Sequence, residues 1–290
     1  MSHYSLMAIN RKGRHDLDRM LAPYDEAREV APYIRKTRAE ALAEYREDIR
    51  RAALSLKAAE GKTEEEYQEA RKGNPDLFAN YDYVVGGDRC AKRAAQANLT
   101  DEELMPYLED YYGAELDAEG NVLSTYNPDS KWDWYEVGGR WSDELILKDG
   151  SRADSAKAKD IDWDAMYSLT PLARAQLSKK WDDIACGPDD KEHGEYLIKE
   201  YGPFHAPKEA LIRRYGSGEE GKAAYLKACA VWTAYAVLDQ AGWHEAGEMG
   251  WFGISAADEE AQIKWRDGFR KAFVDTLDPE DEVTIVDLHI

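Results

Sequence analysis

Val283-Thr284-Ile285-Val286-Asp287-Leu288-His289-Ile290 follows the turn-forming Asp278-Pro279-Glu280-Asp281, and its β-branched content reads as a strand. Residues 3–9 read the same way: Tyr4, Leu6 and Ala8 alternate with Ser5, Met7 and Ile9 until residues 10–13 end the run. The two terminal strands are expected to pair. Working inward, residues 121–126 and 144–148 predict two shorter strands on either side of a Trp-rich turn.

Helices occupy most of what lies between. Leu42, Tyr45, Ile49, Ala53 and Leu56 follow three- and four-residue steps over 37–60, with Gly61 as the stop. Thr63-Glu64-Glu65-Glu66 and Thr100-Asp101-Glu102-Glu103 have capping-box spacing and start two more helices. Pro106 weakens the second unless it falls in the first turn. Thr170-Pro171 is an N-cap with proline at the first helical position. Residues 220–239 are apolar around most of a helical circumference and predict a central buried helix, while Trp265, Phe269, Phe273 and Leu277 mark one face of the last.

Strands mixed irregularly with helices, without βαβ alternation, make an α+β fold: a small antiparallel sheet with both terminal strands, packed with helices. Residues 1–290 are read as a single domain with a helical insertion at 150–220; a separate helical subdomain there is the alternative.

A chain of 290 residues buries roughly 75% of its unfolded surface. Thirty-eight Lys and Arg against 58 Asp and Glu leave a formal charge of −20, which disfavours nucleic acid and anionic membranes as direct partners and favours a basic protein surface. The acidic share lies downstream: residues 101–130 carry nine acidic residues and no basic one, and six more follow Lys271 without a Lys or Arg. Two acidic faces are expected. Cys90, Cys186 and Cys229 form neither a disulfide framework nor a zinc ribbon, and no stretch spans a membrane, so a reducing cytoplasmic location is expected.

The densest constellation runs from Tyr126 to Trp141, YNPDSKWDWYEVGGRW. Asn127-Pro128-Asp129 is turn chemistry, and Gly138-Gly139 permits a positive φ or a close backbone approach. As structure, it makes a Trp-walled corner with Arg140 stacked on an indole or paired to Asp133. As function, it makes a recognition surface in which Trp132, Trp134 and Trp141 give area and Asp133, Tyr135 and Arg140 give polar selection. A second cluster, WHEAGEMGWFG at 243–253, adds Trp243, His244, Glu248 and Trp251. It lacks the second His of a zinc-protease motif, and a metal held by His244, Glu248, Asp287 and His289 is a weaker reading than a hydrogen-bonded His. Asp287 and His289 share one face of a strand and are weak catalytic candidates together with His244. No nucleotide-binding glycine motif or serine-hydrolase elbow is present, and no cofactor is implied.

The opening MSHYSLMAI, residues 21–26, the 126–141 motif, WHEAGEMGWFG and the final TIVDLHI together resemble a family of uncharacterised tailed-bacteriophage proteins. A weaker similarity, from the Trp-rich glycine-containing segment between strands, is to YubB/Api92-type ferredoxin-like domains, which implies a ferredoxin-like sheet. The phage resemblance implies an accessory protein acting in the host cytoplasm. The expected role is protein binding: an inhibitor or modulator of a host nucleic-acid-handling or defence enzyme, in the manner of an anti-CRISPR or anti-restriction protein, through acidic and aromatic surfaces. The alternative is a small enzyme or ligand-binding protein with a pocket formed by the two Trp/Gly-rich loops and the C-terminal strand, where Asp133, Arg140, His244, Asp287 and His289 converge.

Overall fold

A computed structural model describes residues 2–11, 16–78, 86–250 and 255–290. The strands are β1 (His3–Asn10), β2 (Tyr33–Lys36), β3 (Val122–Ser124), β4 (Trp134–Val137), β5 (Leu145–Ile146), β6 (Arg152–Ala153), β7 (Ser155–Lys157), β8 (Ala236–Asp239), β9 (Gly242–Glu245) and β10 (Glu282–His289). The helices are α1 (Leu17–Leu21), α2 (Arg38–Ala59), α3 (Glu64–Gly73), α4 (Gly86–Ala94), α5 (Asp101–Tyr112), α6 (Trp163–Met166), α7 (Pro171–Ala185), α8 (Lys191–Tyr201), α9 (Lys208–Tyr215), α10 (Gly218–Cys229) and α11 (Glu259–Phe269). Two compact units result, one of Met1–Arg28 with Pro128–Ile290 and the other of Glu29–Asn127. The division falls at 29 and 127 rather than around 150–220, whose helices α7 to α10 lie within the first unit and pack on Trp181, Ile184, Leu197, Leu211 and Tyr225.

The first unit is built on a sheet of order β4-β10-β1-β8-β9, with β7 also on β10. The terminal strands pair antiparallel over their full length, from His3 opposite His289 to Asn10 opposite Glu282. Both faces of this pair are covered. Met7, Ile9, Val283 and Ile285 pack on one side with Val237, Phe269 and Val274, and Tyr4, Leu6, Ala8, Val286 and Leu288 pack on the other with Leu21 and Trp132. Such side chains contribute about 1.5 to 3 kcal/mol each when fully buried, which makes β1 and β10 the centre of stability.

Two expectations need correction. The sheet is mixed rather than antiparallel, because β1 and β8 run parallel, with Met7 opposite Val237; the long chain between them supplies the crossover that a parallel pair requires. The helix expected over 220–239 stops at Cys229, and Ala236–Asp239 is a buried strand hairpinned to β9. A short apolar run bounded by a turn fits a buried strand as well as a helix, and here the open side of β1 captured it. Trp232 falls between the two elements, half-buried, donating from its indole to Glu144 at 2.8 Å and packing edge-on to Phe269.

The second unit packs α2 against α5 and β3 through Ala41, Tyr45, Ile49, Leu104, Leu108 and Val122. The capping boxes at Thr63 and Thr100 form as expected, and Thr37 makes a third for α2. Pro106 lies inside α5, past its first turn, on an exposed position. At the far end of the chain α11 passes into a π-helical turn, Arg270–Val274; Trp265, Phe269 and Phe273 pack consecutively across it with ring centroids 5.3 to 5.5 Å apart, and Leu277 lies beyond the helix.

Candidate functional site

One end of the sheet face that carries Met7 and Ile285 turns polar. Residues opposite one another in an antiparallel ladder point to the same side, so Trp134, His289 and His3 form one row and Glu136, Asp287 and Ser5 the next. His3 Nδ1 lies 2.8 Å from Asp287 Oδ1, and His289 Nδ1 lies 2.5 Å from Asp133 Oδ1. The two imidazoles meet edge to face with centroids 5.0 Å apart, and the Trp134 ring stands 6.1 Å from His3. Asp287 is buried, whereas Trp134 is 47% exposed. The His289 Nε2 atom is buried and makes no hydrogen bond among the described residues.

The glycine pair explains how a buried carboxylate is held there. Gly138 and Gly139 have φ of +73° and +52°, a left-handed turn that lays the backbone against two acidic side chains. A Cβ on Gly139 would sit 2.5 Å from the Asp287 Cβ, and one on Gly138 would sit 2.5 Å from the Asp154 Cγ. The turn aims the Arg140 N–H at Asp287 Oδ2, 3.0 Å away, and the Asp143 N–H at Asp154 Oδ1, 2.6 Å away. Arg140 therefore acts through its backbone. Its side chain is exposed, and Asp133, the partner expected for it, is taken by His289.

The remaining aromatics divide by face. Trp132 is buried on the opposite side of the sheet, with its indole donating to the Leu21 carbonyl at 3.2 Å, and Tyr135 follows it there, its phenol bonded to Asp18. Burial and that carboxylate push the Tyr135 phenol up to about 12. Trp141 packs against the Met7 side. Trp251 lies outside the described residues.

Lys131 ties the two Trp-rich loops together. Its Nζ bonds Glu245 at 2.9 Å and Glu248 at 3.0 Å, and Glu245 also accepts the Trp243 indole at 3.1 Å. Burial opposes the charge of Lys131, but the two carboxylates prevail and raise its pKa. Tyr4, donating to the Lys131 carbonyl, is driven well above the usual phenol range by burial first and by Glu245 second. His244 bonds Asp239 at 2.9 Å and lies against Phe273, on β9, three strands from β10, a separation of roughly 14 Å at the usual strand spacing. The five residues expected to converge therefore split: Asp133, Asp287, His289 and the Arg140 backbone meet, and His244 stands apart. The four considered for a metal do not meet either, and no group of three or more His, Cys, Asp or Glu suited to a metal occurs among the described residues.

The acidic runs are less free than their composition suggests. Of the six acidic residues after Lys271, Asp275 pairs with Arg270, Glu280 with Lys157 and Lys159, the buried Asp281 with Arg11 and Asp287 with His3. In the second unit Asp101 and Glu102 are paired to Arg46 and Arg38, while Glu109, Asp110, Glu115 and Glu119 stay exposed.

His3, Lys131 and Asp154 are the functional-site residues that sequence reasoning did not single out. His3 alone had a usable signal, since pairing the terminal strands in register sets it opposite His289. Comparison with protein-family models, curated proteins and solved structures returns no match. No helix among the described residues is long and apolar enough to cross a membrane.

Proposed function

We propose that this chain works by binding a protein, through the outer edge of β4 and the loop that precedes it. The observation that supports this is the exposure of Trp134 and Val137, 47% and 42%, on the outermost strand of the sheet, with the exposed carboxylates of Asp133 and Glu136 beside them. Aromatic area ringed by charge is the composition of an interface hot spot, and an outer strand offers unpaired backbone groups to a partner. The acidic flank selects a basic surface. With the phage resemblance of the 126–141 motif, the reading becomes an accessory protein that inhibits or modulates a host nucleic-acid-handling or defence enzyme, in the host cytoplasm and without touching nucleic acid itself. The ferredoxin-like relation belongs to the same proposal: the antiparallel terminal pair supports it, and the parallel β1–β8 step departs from it. Capture of partners from bacterial lysate at low and high salt tests the reading. A basic nucleic-acid enzyme that is retained at low salt and released at high salt is the expected result; capture of nothing, or of partners indifferent to salt, counts against it.

A second reading, acid–base chemistry, is favoured by one observation. With Nδ1–H given to Asp133, the His289 Nε2 is left as an acceptor, the state in which a carboxylate-oriented imidazole serves as a general base, and His3 on Asp287 stands beside it. Hydrolysis of p-nitrophenyl esters or phosphodiesters that disappears in His289→Gln, with the melting temperature retained, would support it.

A further inference from the structure

β4 is an outermost strand, and the strands behind it decide which of its backbone groups are free. Ser2 and Ile290 exchange both of their backbone hydrogen bonds, so the even-numbered residues of β10 turn N–H and C=O towards β1, and Ile285, Asp287 and His289 turn theirs towards β4. Opposite His289 and Asp287 stand Trp134 and Glu136, and the Gly138 N–H continues the same ladder by donating to the Ile285 carbonyl at 2.9 Å. Tyr135 and Val137 therefore direct their N–H and C=O outward, where neither has a backbone partner among the described residues.

Side chains alternate along the same strand. Trp134 and Glu136 lie on the face of His289 and Asp287, and Tyr135 and Val137 on the other. Glu136 is exposed and takes part in no hydrogen bond or ion pair among the described residues, and Trp134 and Val137 are about half open to solvent. Asp133, beside them, is already engaged by His289. Arg140, the nearest base in the chain, is exposed too, but it follows the Gly138–Gly139 turn and is not part of the strand. A strand added to this edge thus meets an indole and one free carboxylate on the first face and an apolar side chain on the second. A second copy of the chain fits poorly: antiparallel pairing in the register that satisfies Tyr135 and Val137 together sets Glu136 opposite Glu136, and like charges directly opposite are destabilising.

We infer that β4 takes up an extended segment of the partner protein as an added strand, with arginines at alternate positions opposite Trp134 and Glu136 and apolar residues between them, against Val137. Opposed residues of neighbouring strands share a face, so each arginine comes beside the indole or the carboxylate. Guanidinium stacks on the one and forks onto the other, which an ammonium group does less well. The backbone of Tyr135 and Val137 supplies the hydrogen bonds, and the side chains supply the selection. This rests on the protein-binding reading of β4 and adds to it the mode of binding and the chemistry of the bound segment.

The probe is a seven-residue peptide of alternating arginine and valine, with a glutamate–valine peptide as its counterpart, and the readout is amide exchange in the full chain, resolved by NMR. In the free chain the Tyr135 and Val137 amides are expected to exchange fast and those of Trp134 and Glu136 slowly. With the arginine peptide at ten times its dissociation constant, the first two slow by about tenfold. The glutamate peptide leaves them fast, and Glu136→Lys reverses the preference. Val137→Pro removes an outward donor and no bond to β10, and is expected to abolish the response of Tyr135, whereas Val137→Thr keeps it. Should Val137→Pro lower the melting temperature, the reversal in Glu136→Lys decides. No slowing, equal slowing with both peptides, or a Tyr135 response unchanged in a folded Val137→Pro overturns strand addition. If that happens while Trp134→Ala still loses the partner captured from lysate, the β4 surface stands and only its mode of binding falls; a captured partner indifferent to Trp134→Ala removes the β4 reading itself.

Discussion

At Gly139 two demands coincide, a backbone φ of +52° and an approach to Asp287 that no Cβ survives. Gly61 makes only the first demand, with φ +73° and nothing within 4 Å of the place a Cβ would take. Alanine at Gly61 is therefore expected to cost about 1 kcal/mol, the conformational part alone, and alanine at Gly139 about 2 to 4 kcal/mol, since overpacking adds to it. Urea denaturation of the two variants checks this; equal losses would mean that the Asp287 contact contributes nothing. The same residues show what a sequence can and cannot tell. The glycine pair, Asp133, Asp287 and His289 announce themselves by local pattern. His3 and Lys131 do not, because their partners lie 284 and 114 residues away and no local spacing encodes such a contact.

Among the elements, α5 carries a proline where a helix loses a hydrogen bond and gains a clash. Pro106→Ala is expected to stabilise α5 by about 1 to 3 kcal/mol, seen as slower amide exchange across Asp101–Tyr112; faster exchange would show that the proline fits its surroundings better than alanine. Near the start of β10, Glu280 accepts from Lys157 at 2.7 Å and from Lys159 at 2.5 Å, tying the turn before it to β7. These bonds hold the Glu280 carboxyl down from 4.5 to about 2. A depressed carboxylate stabilises the folded state above its unfolded pKa and ceases to do so as pH falls through the folded one. The stability difference between the parent and Glu280→Gln is therefore expected to be present above about pH 4.5 and to vanish towards pH 2; a difference independent of pH over that window would deny the ion pairs any role. The elements were legible where their signals are local. Capping boxes and an alternating terminal strand are such signals, and the three boxes formed share one T-x-x-E spacing. β8 was not legible, because its few apolar residues satisfy helix and strand alike and the choice was made by β1, more than 200 residues earlier.

For the molecule as a whole, the net charge of −20 marks a class of partner without locating it. Internal ion pairs consume much of the C-terminal acidic run, and the aromatic residues divide between core and surface, so the proposed working edge narrows to Trp134 with Asp133 and Glu136 around it. Trp132, two residues away and ahead of β4, is buried against Leu21 and serves the fold; alternation within a strand would put it on the face of Trp134, so the contrast comes from the loop that precedes β4. The most direct test of protein binding through this edge is Trp134→Ala, assayed for thermal unfolding and for retention of the salt-sensitive partner. An unchanged melting temperature with the partner lost is the result expected of an exposed anchor. Full retention of the partner, or a marked fall in melting temperature, would contradict it.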